Sequence, residues 1–397
     1  MVTKVLTTLL VVLFANLSYY IIEGRILTDE EDFELEEQLR ILNKQPIKSI
    51  EDEFGDVFDC IEINKQPALD HPLLKNHEIQ MEPTFLPKSS VKKSTMTRKQ
   101  PVVSLQAIDC PHGTVPIRRT RKKDLVRAKL FMEMHSTIIP YRDIKPGQHP
   151  AIVRSNLNST DRFHGAGATM NLHNPEVADD QSTWSQIWLG NGIIETEFDG
   201  IQAGWAVAPE LYQDHNTRFV TYWESTSQGK KTGCFNDRCA GFVHVDNRYT
   251  LDGVITKTSI YDGPIYSMQL LIFQDIKKNW WLTIPDKSIN IGYWPNTILP
   301  HLAEGASNVA WGGLAMASAN GNSPVMGFGT FPDGNYRHSG FFWDVVTIDA
   351  QNKTRIYFGV KDTYVEAKNC YSIRNGVGEV VDSYLFGYGG PGGACGA

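Results

Sequence analysis

The chain offers no long apolar run after its first fifteen residues. A bilayer of ~30 Å needs about 20 consecutive apolar residues in a helix, so no membrane span is expected. It holds no Gly-x-Ser-x-Gly elbow and no His-Glu-x-x-His motif, which argues against a serine hydrolase of that type and against a helix-borne zinc site. The basic residues form no stripe and the formal charge is −7, which argues against a nucleic-acid partner. Cysteines are few, six in all. Cys234 and Cys239 lack a second close pair, so a zinc site is disfavoured. Gly165-Ala166-Gly167 and Gly327-Phe328-Gly329 precede no long helix, so neither marks a nucleotide site. No cofactor or metal is expected.

The first feature present is N-terminal. Lys4 followed by the apolar run Val5 to Ala15 reads as a secretory signal, too short to span a membrane; residues 1–24 are assigned to it. A secreted chain with an even number of cysteines invites disulfides, although sequence alone leaves their pairing open. The sequons at Asn158 and Asn352 then become glycosylation acceptors.

Thr28-Asp29-Glu30-Glu31 reads as a capping box opening a helix to about Asn43, with Leu35, Leu39 and Leu42 on one face. From there to about Gln106 the chain is rich in Pro, Lys and Ser, and residues 82–101 read as a flexible linker. The basic cluster Arg118 to Lys123 reads either as a protease-accessible junction or as a solvated helix face.

From about residue 150 the texture changes. Alternating runs such as Ile265 to Phe273 are separated by turn pairs: Asp199-Gly200, Asp252-Gly253, Asp262-Gly263, Asn320-Gly321 and Asp333-Gly334. Only Asn296 to Ala306 reads as a longer helix. Many short strands with glycine punctuation predict a mainly β protein, a sandwich or barrel.

Ordered motifs then narrow the reading. They include Asp59-Cys60-Ile61, the run Lys65 to His77 and Cys110-Pro111-His112-Gly113. Further along come Ser185-Gln186-Ile187-Trp188, Pro209-Glu210-Leu211-Tyr212, Thr221-Tyr222-Trp223, Ile291-Gly292-Tyr293-Trp294-Pro295 and Tyr388-Gly389-Gly390-Pro391. In these the chain resembles the neprosin family, secreted prolyl endopeptidases of the glutamic peptidase class found mostly in plants. The resemblance implies an activation-peptide-like region over residues 25–145. It implies an antiparallel β-sandwich over 146–397, curved, with a cleft on one face. It further implies the pairs Cys234–Cys239 and Cys370–Cys395, leaving Cys60–Cys110.

In that family two segments carry one catalytic glutamate each. Here those segments are Ile201-Gln202-Ala203-Gly204-Trp205 and Trp311-Gly312-Gly313-Leu314, so Gln202 and Leu314 stand at the two positions. A glutamic peptidase needs one ionised carboxyl to activate water and one protonated carboxyl to polarise the scissile carbonyl. Gln202 can only hydrogen-bond, and Leu314 can do neither. The expectation is an exported binder of proline-containing peptides or wall polymers with little or no peptidase activity, its own pro-segment being a further partner. The alternative is an active prolyl endopeptidase using a displaced carboxylate, from among Glu195, Glu197, Asp199 and Asp214. Trp205, Trp311, Trp223, Tyr293 and Trp294 are expected to line the cleft, stacking proline rings or sugars, or else to fill the core.

Overall fold

The computed structural model describes residues 21–22, 25–87, 105–135, 144–157, 160–357, 362–376 and 383–396. The apolar run Val5 to Ala15, the linker centre Lys88 to Ser94 and the sequon residue Asn158 lie outside them. Among the described residues no helix is long and apolar enough to cross a membrane.

Helix α1 (Asp29–Leu42) begins as the capping box predicts. Thr28 accepts from the Glu31 N–H, and the Glu31 side chain accepts from the Thr28 N–H. Strands β1 (Lys48–Glu51), β2 (Val57–Glu62) and β3 (Thr114–Arg118) form a small antiparallel sheet. The Cys60–Cys110 disulfide clips β2 to the chain entering β3. Helix α2 (Lys122–His135) follows.

The basic cluster is paired with acidic side chains, Arg118 buried and Arg119 and Arg121 exposed. Arg118 ends β3 and is buried against Asp56 at 2.7 Å, Arg119 meets Asp59 at 2.6 Å, and Lys122 meets Asp32 at 2.6 Å. The partner carboxylates lie in the β1–β2 loop, in β2 and in α1.

The sandwich begins with β4 (Gln148–Arg154), β5 (Gly165–Asn171), β6 (Ser182–Ile193) and β7 (Glu197–Val207). The single turn α3 (Pro209–Tyr212) leads to β8 (Arg218–Ser227), β9 (Lys230–Phe235) and β10 (Val243–His244). Then come β11 (Ser267–Gln274), β12 (Trp280–Ile284), β13 (Ile289–Trp294) and β14 (Asn308–Met316). The chain ends with β15 (Gly340–Ile348), β16 (Asp362–Val365), β17 (Ser372–Asn375) and β18 (Phe386–Gly389).

One sheet runs β9-β8-β7-β6-β14-β4-β16. The other runs β10-β13-β12-β11-β5-β15-β18-β17, with Thr354–Ile356 added on β15. The pairings are antiparallel, so the predicted β-sandwich is the observed fold. Between the sheets lie Ile187, Ala203, Trp205, Trp223, Trp280 and Trp311, all buried. Each buried tryptophan removes ~150–250 Å² from water, on the order of 4–6 kcal/mol of gross transfer free energy. Cys234–Cys239 and Cys370–Cys395 are both formed.

Three expectations are corrected. Asn296 to Ala306 is two short turns, Asn296–Ile298 and Pro300–Leu302, because Pro300 has no N–H to continue a helix. Asp199-Gly200 is no turn: Asp199 lies within β7, opposite Asn191 and Ser225. Part of the expected linker is held, since Thr84 N–H donates to Asp275 at 3.1 Å and Phe85 packs edge-on against Phe273. The other turn pairs behave as read, with positive φ at Asp252, Asp262, Gly321 and Gly334.

The segment from Ile63 to Phe85 forms a strap over the outer face of the second sheet. His77 Nε2 lies 2.7 Å from the Tyr293 hydroxyl, which also accepts from the Gln80 N–H.

Candidate functional site

Strand register builds the site as a grid on the outer face of the seven-stranded sheet. Tyr222 of β8, Gln202 of β7, Trp188 of β6 and Ala310 of β14 stand level in one row. Two residues along each strand, the next row is Val220, Gly204, Gln186 and Gly312; the third is Arg218, Ala206, Trp184 and Leu314. Because side chains alternate between faces every residue, all three rows point the same way. Gln202 and Leu314 thus share a face, two strands and four residues apart, about 16 Å on a flat sheet. Gln186 stands between them in the middle row.

Gln186 owes its place to two glycines. A Cβ at Gly204 would lie 2.0 Å from the Ser185 carbonyl oxygen, and one at Gly312 would lie 2.3 Å from that of Ala151; Gly312 also has φ +145°. Any larger residue would push the strands apart. Gln186 is 0% exposed and Gln202 2% exposed. Among the described residues neither amide has a hydrogen-bond partner at its nitrogen or its oxygen, and the Trp188 indole N–H has none. Leu314, 1% exposed, sits in an apolar cluster with Trp184, Ala206 and Met316.

That cluster is closed from above by α2. The Phe131 ring lies 5.8 Å from Trp184 and 5.6 Å from Phe235. The activation-like region therefore covers the candidate face at its Leu314 end.

The expected cleft-lining aromatics lie elsewhere. Trp205 and Trp311 are each three residues from a pair position, an odd offset, so alternation turns them into the sheet-to-sheet core together with Trp223 and Trp294. Tyr293 lies under the strap on the other sheet. The aromatics beside the pair are Trp184, Trp188 and Tyr222; the quoted motifs contain Trp188 and Tyr222, Trp184 immediately precedes one of them, and none of the three is among the expected cleft residues.

The four expected stand-in carboxylates are also placed. Glu195 is exposed at the β6–β7 turn with positive φ. Glu197 meets His301 at 3.1 Å. Asp214 lies in the loop before β8 and is fixed by Arg218 at 2.6 Å; Arg218 itself stands three strands from Leu314 in the third row. Asp199 is buried on the inner side, where it accepts from the His301 and Leu302 N–H groups. Burial pushes its carboxyl up to about 6, against the Ser225 hydrogen bond, the His301 charge and those N–H groups.

A carboxylate that does share the Gln202 face is Glu224, two residues beyond Tyr222 and missed in the sequence, although alternation would have found it. It is already engaged: the Tyr222 hydroxyl donates to it at 2.9 Å and Lys231 pairs with it. Burial, reinforced by Glu224, holds the Tyr222 phenol far above its usual range. Asn352 lies in a turn with φ 59°. No group of three metal-ligating side chains occurs among the described residues.

A family model described as Neprosin matches residues 179–391, and one described as Neprosin activation peptide matches residues 49–164. Among solved structures, scytalido-glutamic peptidase with a peptide-based transition state analog is 12% identical with a TM-score of 0.32, covering 62% of this chain and 100% of that one. SCP-B, an Eqolisin-family peptidase in complex with the tripeptide Ala-Ile-His, is 9% identical at 0.28, with the same coverage. A beta-porphyranase from the human gut bacterium Bacteroides plebeius is 10% identical at 0.24, covering 73% of this chain and 89% of that one. These likenesses are too distant to bear on mechanism. The two family matches together span both the strap-and-helix region and the sandwich, and on that ground the chain belongs to the neprosin family.

Proposed function

We propose that this neprosin-family protein is exported and holds extended, proline-containing peptides or wall polymers on the Gln202 face with little or no peptidase activity. The observation that carries the reading is the pair of buried, unpartnered amides at Gln186 and Gln202, beside a leucine at the second catalytic position. Each amide offers both donors and an acceptor, which matches the N–H and C=O groups of an extended chain. Trp184, Trp188 and Tyr222 supply flat apolar surface for proline rings or sugars. Neither Gln202 nor Leu314 can exchange a proton near neutral pH, and acid–base catalysis contributes roughly 10²–10⁴-fold per group. Export is supported by the apolar N-terminal segment and three disulfides, bonds that persist in oxidising compartments. Asn158 and Asn352 would then be available for glycosylation. The pro-segment acts here as an internal partner, with α2 over the binding face.

A second reading, an active prolyl endopeptidase with a displaced carboxylate, is favoured only by Glu224, and Lys231 and Tyr222 already occupy that group. The test incubates the full chain, and Phe131→Ala to loosen α2, with proline-containing peptides at acidic and neutral pH. Mass spectrometry for new termini and calorimetry for binding are read together. Binding without cleavage is expected, stronger in Phe131→Ala. Cleavage at a rate typical of an active member of the family would overturn the reading.

A further inference from the structure

The seven-stranded sheet ends at β9, which pairs with β8 alone. The β8–β9 hairpin turns through Gln228 and Gly229, both at positive φ. A two-residue loop of this kind makes Ser227 and Lys230 a closing pair that exchanges hydrogen bonds. Alternation from that pair points the main-chain N–H and C=O of Thr232 and Cys234 at β8, and those of Lys231, Gly233 and Phe235 away from it. Two bonds agree: the Asn236 N–H reaches back to the Thr221 carbonyl at 3.0 Å, while the outward Phe235 carbonyl takes the Arg238 N–H at 3.0 Å. Among the described residues no hydrogen bond reaches the outward N–H and C=O of Gly233.

A cavity of about 430 Å³ lies against that edge, within the range of ligand sites. Five consecutive residues, Lys231 to Phe235, line it. Their side chains alternate between the two faces, so the cavity wraps the edge rather than lying on one face. The opposite wall is apolar, Leu35 from α1 with Leu125, Ala128 and Met132 from α2. A strand edge beside an apolar wall is the geometry of strand addition, in which main-chain bonds give affinity and alternate side chains fill the pocket. A second copy of the same edge fits poorly. It would set its own exposed Lys230 and Lys231 against this pair, and bring its own helices into the same space. The lysine pair instead attracts carboxylates.

We infer that the β9 edge binds an extended peptide as an eighth, antiparallel strand, its apolar residues toward α2 alternating with acidic residues on the side of Lys230 and Thr232. Directly opposite residues share a face, so the ligand residue across from Gly233 points at α2 and exchanges both bonds with it. A proline there would remove the donor, which separates this ligand from the proline-containing class. Tyr222 and α2 border both this groove and the Gln202 face, but recognition at β9 runs through the main chain and uses neither Gln202 nor Leu314.

The test titrates the full chain with fluorescein-labelled Glu-Val-Glu-Val-Glu-Val-Glu, capped at its C-terminus, and follows anisotropy together with hydrogen exchange at the Gly233 amide. Saturable binding and at least tenfold slower exchange at Gly233 are expected. N-methylating the valine amides should weaken binding tenfold or more, whereas N-methylating the glutamate amides should change it less than threefold. Met132→Trp fills the groove and should weaken binding at least tenfold; Ala128→Phe serves the same purpose if that variant does not fold. No saturable binding, equal effects of the two methylation patterns, or unchanged exchange at Gly233 would each overturn the assignment. So would a dimer by sedimentation that protects Gly233 without peptide, since the edge would then belong to a second copy.

Discussion

The two faces of the seven-stranded sheet come from the same strands and differ in kind. On the inner face Ile201, Ala203, Trp205, Val309 and Trp311 pack against the second sheet, and the Trp205 indole N–H donates to the Asn171 carbonyl at 2.9 Å. On the outer face the same strands present Gln202, Gln186 and Trp188 with polar atoms lacking protein partners, beside an apolar patch under α2. A core position is judged by how well it packs. Unpartnered indole N–H groups occur on the inner face too, at Trp223 and Trp311; what sets the outer face apart is the pair of amides, Gln186 and Gln202, each with its donors and its acceptor unpaired.

The largest effect should come from converting the outer face. With Phe131→Ala to free it, Gln202→Glu plus Leu314→Glu is expected to gain acid-optimal cleavage after proline, by roughly 10²-fold or more over the parent. Either single change should do little, because such groups act as a unit. Product analysis against pH checks this, and a folded but inert double variant would show that the face has diverged beyond its two missing acids.

On the inner face, Trp311→Ala should cost about 3–5 kcal/mol, read from denaturant melts, with no specific effect on peptide affinity in whatever protein remains folded. A smaller cost would mean that the two faces are less distinct than their burial implies.

Asp199, where β7 meets the Asn296–Leu302 turns, sets the pH response. Its carboxyl is raised to about 6, so the folded state holds the proton more tightly and stability falls as pH rises from about 4 through 6, by on the order of 2–3 kcal/mol. Asp56 acts in the opposite sense. Burial alone would raise it, but Arg118 and Arg218 hold it below its ordinary value, so its contribution is lost only as pH falls below the usual carboxylate range. Stability should therefore peak in mild acid, and Asp199→Asn should flatten the neutral side of that peak in melts from pH 3 to 8.

The smallest effect is the sharpest. Gln202→Leu removes an unpaired buried amide and should raise stability by about 1–2 kcal/mol while weakening peptide binding; a loss of stability would mean that the amide is already satisfied.

Local signals were legible in the sequence where neighbours in the chain decide the outcome. Thr28 and Glu31 form their capping box, the Gly-containing turns fall mostly as read, and alternation gives the sandwich. What failed was set by distant contacts. Asp199 looked like a turn because its captors, the N–H groups at 301 and 302, lie a hundred residues away. Nor could the sequence show that Phe131 would lie on Trp184. The misplacement of Trp205 and Trp311 was avoidable: an odd offset from Gln202 and Leu314 already puts them on the other face.

The position of β4 in the sheet has a consequence for any processing of the chain. The activation-peptide match extends to residue 164, yet β4 lies between β14 and β16, hydrogen-bonded along the strand that carries Leu314. Severing the chain beyond Gln148 and losing β4 would unzip two ladders at once, strand β16 from its anchor and β14 into a bare edge open to pairing with another chain. The leader-like half and the sandwich are stitched together by that strand, and a cut that spares the sheet must fall before it.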